Sequence, residues 1–148
     1  MMKNILIAFV LVLLMSCGKT KDYTEENEQE ILTYLADNNL TAQKSSTSLY
    51  YIIDNVGTGE RPSASDNVTV AYKGYFTNGN TFDESSTSGI SFNLQQVIAG
   101  WTEGITYFKE GGNGVLLIPS RLAYGDSGQG NIPGGAVLIF DVTLISVN

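Results

Sequence analysis

Five aromatic rings and one carboxylate stand in six separated patches of this 148-residue chain. The patches are Tyr72, the pair Phe82-Asp83, the run Val97-Ile98-Ala99-Gly100-Trp101, the triplet Ala123-Tyr124-Gly125, the step Ile132-Pro133, and Phe140. Brought together, they would form an apolar hollow with a few polar handles, the usual composition of a small-ligand or peptide site. The chain has no histidine and one cysteine. It therefore lacks an imidazole base, a Cys-rich zinc site and an intramolecular disulfide. Such a hollow can exclude water and orient a bound chain, chemistry that requires no nucleophile, general base or metal.

Other motifs fail on context. Gly57-Thr58-Gly59 and the run Gly125 to Gly130 lack the lysine and the strand–helix setting of a phosphate loop, and read as turns. Asp22, Glu25, Glu26, Glu28 and Glu30 fall on a helical pattern, not in a calcium loop. No metal or cofactor is expected.

The elements that must position these residues read as antiparallel β. Leu49 to Asp54 is a predicted strand, closed by Gly57, Gly59 and Pro62. Val68, Val70 and Tyr72 alternate with Thr69, Ala71 and Lys73, the period of a half-buried strand. Asn78-Gly79 marks a turn, after which Thr81-Phe82-Asp83 resumes an extended path. Val97 to Phe108 is the helical stretch of the domain, with apolar residues at 97, 98, 101, 105 and 108 along one face. Gly111-Gly112 ends it, and Val115 to Ile118 starts another strand. In the last strand Leu138, Phe140, Val142 and Leu144 face one way. The expected fold is α+β: a curved antiparallel sheet wrapped around one short helix.

Length allows one domain of ordinary size, and 43% hydrophobic with 16% charged residues supports a packed core. The net charge of −7, with eight Lys plus Arg, argues against nucleic-acid binding, which needs clustered cations. Residues 1–16 read as a secretory signal: Lys3, an apolar run from Ile5 to Met15, then Ser16-Cys17. That run is too short to span a bilayer as a helix. Leu14-Met15-Ser16-Cys17 resembles a bacterial lipobox, in which Cys17 is lipidated and becomes the first residue; the alternative is a plain signal peptide. Loss of Lys3 with the signal would leave −8, from −7 minus one. Each acyl CH₂ buried in lipid contributes about 0.8 kcal/mol, so several acyl chains hold a small domain at a bilayer. Gly18, not an acidic residue, follows Cys17, which favours the outer over the inner membrane of a bacterial envelope.

Residues 17–44 hold that cysteine, a polar linker and a short helix. Thr24 is a candidate N-cap, the glutamates of the first turns oppose the helix dipole, and Asn38-Asn39 are stop signals. Ile31, Leu32, Leu35 and Leu40 make one narrow apolar stripe. The helix either leans on the domain or on a partner, or is a solvated spacer.

Residues 45–148 resemble the FK506-binding type of peptidyl-prolyl cis-trans isomerase. The most specific match is Val97-Ile98-Ala99-Gly100-Trp101-Thr102-Glu103-Gly104; Ala123-Tyr124-Gly125, Phe82-Asp83, Ile132-Pro133 and Phe140-Asp141-Val142 follow. The resemblance implies that Trp101 underlies a proline ring and that the Ile98 N–H binds a substrate carbonyl. It implies that Tyr124 donates a hydrogen bond to the ligand and that Asp83 sits at the pocket edge near the Tyr72 hydroxyl. Tyr72, Asp83, Trp101 and Tyr124 are thus the candidate catalytic residues, and Phe82, Val97, Ile98, Ile132 and Phe140 the substrate-binding walls. The implied partners are proline-containing polypeptides and FK506-like macrolides, with folding of exported proteins as the task. The alternatives are a binding module or holdase with little turnover, and a structural lipoprotein that uses the fold as a scaffold. Gly134, Gln129, Gln96 and the Ser-rich stretch 84–89 depart from many relatives at the rim, which bears on substrate preference and drug affinity. Some secreted relatives dimerise through a longer N-terminal helical region; the short helix here points to a monomer.

Overall fold

The computed structural model describes residues 20–148. The candidate signal segment 1–16 and the candidate lipidated Cys17 lie outside the described residues. Among the described residues the first element is helix α1 (Thr24–Asp37), followed by strands β1 (Gln43–Lys44), β2 (Tyr50–Asn55), β3 (Asn67–Tyr75), β4 (Thr81–Glu84) and β5 (Ile90–Asn93). Helix α2 (Ala99–Gly104), β6 (Asn113–Ile118) and β7 (Leu138–Val147) complete it. The strands form one antiparallel sheet in the order β1-β2-β6-β7-β3-β4, and β5 pairs with the other end of β3. This is the curved sheet around a short helix that the periodicity predicts.

Two departures from the sequence expectation have physical causes. The predicted helix over 97–108 is shorter: Val97 (ψ 174°) and Ile98 (ψ 148°) are extended, α2 starts at Ala99, and Ile105–Tyr107 tightens into a 3₁₀ turn. Both residues before α2 are β-branched, which favours the extended backbone. At α1, Thr24 is the first helical residue rather than the cap. Its N–H donates to Asp22 Oδ1 at 2.9 Å, so Asp22 supplies the acceptor that capping requires.

Alternation along the strands sends side chains to two separate cores. On the concave face Leu116 and Ile118 of β6 join Leu138, Phe140, Val142 and Leu144 of β7 and Val68 and Val70 of β3, packed on Trp101, Ile105 and Phe108. On the convex face the alternate residues Tyr50, Leu117 and Ile139 pack on Ile31 and Leu35 of α1. Of the apolar stripe, Ile31 and Leu35 are therefore spent on this domain, while Leu32 and Leu40 stay exposed. Helix α2 lies unusually close to the sheet: a Cβ at Gly100 would stand 2.5 Å from Ile118 Cγ2, and one at Gly104 would stand 2.7 Å from Leu116. Only a bare backbone allows that approach, and it lowers Trp101 onto the strands beside it.

Candidate active site

A cavity of about 700 Å³ opens on the concave side, and all nine predicted pocket residues line it: Tyr72, Phe82, Asp83, Val97, Ile98, Trp101, Tyr124, Ile132 and Phe140. Register explains how distant residues meet. Tyr72 opposes Val142 and Gly74 opposes Phe140 across the β3–β7 pair, so Tyr72 and Phe140 share a face, two rungs apart. Their ring centroids are 6.0 Å apart, and each ring meets Trp101 edge-on, at 5.1 and 5.2 Å. Edge-to-face rings at such distances attract beyond the area they bury. Phe82 joins them at 5.4 Å from Phe140, nearly perpendicular.

Phe82 and Asp83 are adjacent, and in a regular strand they would point to opposite faces. The β3–β4 pairing shifts register here: Asp83 opposes Gly74, Thr81 opposes Tyr75, and Phe82 is the extra residue. Such a bulge re-aims side chains, and both residues reach the cavity. The room for Phe82 comes from Gly74, where a Cβ would stand 2.7 Å from both the Phe82 and Phe140 rings.

The polar handles are few. The Tyr72 hydroxyl donates to Asp83 Oδ2 at 2.6 Å. Burial, reinforced by that bond, pushes the Tyr72 phenol above its ordinary value, so it stays a neutral donor. Its backbone is clamped as well: Tyr72 N–H donates to Ser85 Oγ and Ser85 N–H to the Tyr72 carbonyl, each at 2.9 Å. Ile98 caps α2 by its carbonyl, which accepts from Trp101 N–H at 2.9 Å and Thr102 N–H at 3.2 Å, while its own N–H enters none of the backbone bonds of the surrounding turns. Trp101 is the least exposed lining residue, at 5%, and its indole N–H is buried without a hydrogen-bond partner. An orphaned donor costs about 1–3 kcal/mol, which a phenylalanine in a purely structural core would avoid.

Several lining residues fall outside the nine predicted. Ile90 and Phe92 of β5 stand at one rim, with Phe92 5.3 Å from Trp101, and Asn131 stands at another. The alternation Ile90-Ser91-Phe92 was the available signal for β5. Its pairing with Val68–Val70 of β3 brings it to the cavity. Gln96 and Gln129 line the cavity too, so two of the positions that depart from many relatives stand at the site. Among the described residues, no group of His, Cys, Asp and Glu is arranged to hold a metal.

The fold and site together are a curved antiparallel sheet around a short helix, with a ring-lined hollow over the helix's tryptophan. Residues 58–145 match the family model of FKBP-type peptidyl-prolyl cis-trans isomerases. The chain belongs to that family. It is 49% identical over 132 residues to the FKBP-type peptidyl-prolyl cis-trans isomerase FkpA of Escherichia coli K12, covering 88% of this chain and 46% of the relative. The Aeromonas hydrophila FkpA is 43% identical over 126 residues, 82% of this chain and 47% of the relative. The chain thus spans about half the length of these curated relatives. Among solved structures, Escherichia coli FkpA superposes with a TM-score of 0.76 at 41% identity, over 84% of this chain and 60% of that one. A Pseudomonas syringae peptidyl-prolyl cis-trans isomerase gives 0.72 at 31% identity, over 86% of this chain and 98% of that one.

Proposed function

We propose that the chain is a peptidyl-prolyl cis-trans isomerase acting on X–Pro bonds of exported proteins, held at a bacterial envelope membrane by lipidated Cys17. One observation carries the catalytic reading: nine side chains from six segments surround the same cavity, with a buried indole at its base.

Rotation about an X–Pro bond is slow because the amide is partly a double bond, with a barrier near 20 kcal/mol. At a right-angle twist resonance is lost and the bond becomes less polar, whereas water stabilises the planar ground state. A cage of Trp101, Phe140, Phe82, Val97, Ile98 and Tyr72 removes that water and favours the twisted state. The Ile98 N–H and the Tyr124 hydroxyl hold one side of the chain while the other side turns. Asp83 acts as acceptor for Tyr72 and keeps that ring in place. No proton transfer is needed, and a thousand-fold acceleration requires only about 4 kcal/mol.

A peptide assay tests this directly. The protein should accelerate cis–trans exchange of a short X–Pro peptide, and Asp83→Val and Tyr124→Phe should each lower kcat/KM about tenfold or more, as loss of one oriented contact does. Equal exchange rates with and without protein would leave only a binding module. The same cavity would take FK506-like macrolides, with affinity set by the rim residues Gln96 and Gln129; quenching of Trp101 fluorescence on addition of FK506 reads this. Helix α1 is short and its Ile31 and Leu35 are occupied within the domain, which favours a monomer. Lipidation of Cys17 predicts detergent-phase partitioning that Cys17→Ala abolishes, and Gly18 directs the anchored chain to the outer membrane.

A further inference from the structure

Helix α1 carries a polar side chain that reaches through the molecule to the loop bearing Tyr124. Asn27 is 1% exposed. Its Oδ1 accepts from the Ser120 N–H at 2.8 Å and from the Ser120 hydroxyl at 2.6 Å, and its Nδ2 donates to the Gly135 carbonyl at 2.9 Å. Ser120 and Gly135 open and close the loop that carries Tyr124 and Ile132. Within that loop the Gly125 N–H donates to the Ser120 carbonyl, and the Gly135 N–H to the Gly125 carbonyl, each at 2.8 Å. The hydrogen bonds therefore close a ring: Asn27 to Gly135, Gly135 to Gly125, Gly125 to Ser120, and Ser120 back to Asn27. Tyr124 immediately precedes Gly125, and the Ala123 N–H on its other side shares the Ser120 carbonyl at 2.9 Å. The Tyr23 ring lies against Gly135, where a Cβ would fall 2.2 Å from it.

The ring needs an amide at position 27. A backbone N–H only donates and a carbonyl only accepts, so the side chain must offer an acceptor to Ser120 and a donor to Gly135 at once. A carboxylate would face the Gly135 carbonyl, and an aliphatic side chain would orphan three buried groups. The loop also needs outside support. It holds glycines at 125, 128, 130, 134 and 135, each with high conformational freedom to lose. Beyond the Gly125 and Gly135 bonds, its own fasteners include the Gly128 N–H donating to the Tyr124 carbonyl at 3.2 Å and the Gln129–Ile132 pair, joined by two backbone bonds of 2.9 Å at the loop's far end.

We propose that Asn27 is a positioning residue for the pocket: it ties both ends of the 120–135 loop to α1 and so holds the Tyr124 hydroxyl and the Ile132 wall at the cavity. The catalytic half of this inference rests on the isomerase reading; the structural half does not. The test compares the whole chain with its Asn27→Ala variant, both held well below their melting temperatures. Amide exchange at Gly125 and Gly135 should accelerate about tenfold or more in the variant while the β6 and β7 amides stay protected. The kcat/KM per folded molecule should fall about tenfold, and Tyr124→Phe should cost less in the Asn27→Ala background than alone, because both act through one contact. Leu35→Ala, on the same helix but away from the loop, should lower Tm and leave exchange at the two glycines and kcat/KM unchanged. Should Asn27→Ala not fold, Ser120→Ala removes only the hydroxyl bond and should give the same changes at smaller amplitude. Unchanged exchange, faster exchange with unchanged kcat/KM, or strictly additive effects with Tyr124→Phe would each overturn the proposal. A wild-type chain without isomerase activity would sink the isomerase reading, and with it the catalytic half, while exchange at Gly125 and Gly135 still decides the tie.

Discussion

The two faces of the sheet are packed by different rules. The convex face, under α1, is closed with Ile31, Leu35, Leu117 and Ile139, and the buried polar side chain beside it, Asn27, has partners for both its oxygen and its nitrogen. The concave face is built of rings that meet edge-on, leaves a cavity of about 700 Å³, and strands an indole N–H without a partner. Both faces come from the same strands: Leu117 and Leu116 are neighbours in β6, one on each side. A side evolved only to hold together fills its space and satisfies its polar atoms. A side that must admit a ligand leaves both undone, and close packing elsewhere has to compensate.

That contrast can be broken by paired truncations. Trp101→Ala should cost about 3–5 kcal/mol and Leu117→Ala about 2–5 kcal/mol, as large-to-small core changes do, read by urea denaturation. Only the tryptophan change should abolish isomerase activity in the molecules that remain folded. Equal loss of activity in Leu117→Ala would mean that the two faces are not separable. Gly100→Ala sharpens the comparison with a smaller effect. Its new methyl meets Ile118 at 2.5 Å, so overpacking should cost about 1–3 kcal/mol and tilt Trp101. Weaker binding of a proline peptide, read by Trp101 fluorescence, should accompany the lowered stability.

The smallest effect concerns pH. Burial, then its bond to Glu103, raises the Tyr107 phenol from about 10 to about 12, and burial likewise raises Tyr72 on the concave side and Tyr75 on the convex side. A phenol whose folded value is raised adds stability that is complete below its unfolded value and lost as pH climbs through the folded one. Melting temperature should therefore be flat from neutrality to about pH 9.5 and decline between about 10 and 12. Tyr107→Phe should make that decline shallower. No histidine is present, so kcat/KM should not vary between about pH 6 and 8, where imidazole is the side chain that ordinarily titrates. A bell-shaped profile in that window would contradict catalysis by desolvation.

Much of the concave side was legible in the chain. The alternation of Leu138, Phe140, Val142 and Leu144, and the spacing of Trp101, Ile105 and Phe108, are periodic signals that each element carries alone. The convex side was not. Ile139 sits between Leu138 and Phe140, already assigned inward, so a period-two reading marks it as outward, and only the presence of α1 turns outward into buried. The narrow stripe of Ile31, Leu32, Leu35 and Leu40 fits a spacer as well as a packed element until its partner surface is known, and only Ile31 and Leu35 of it are buried. Phe82 and Asp83 could be paired as a motif, yet their common direction depends on a bulge that no local pattern announces.

Composition and periodicity were enough to determine the fold class and the absence of imidazole, because those properties are local or additive along the chain, while the meeting of the rings in one hollow was implied by the resemblance of the motifs to a family. The shared direction of Phe82 and Asp83, the burial of Ile139, and the ring that ties Asn27 to Gly135 across 108 positions were decided by tertiary structure alone. Each depends on which surfaces meet, and a hydrogen bond between residues so far apart leaves no periodic trace in either segment.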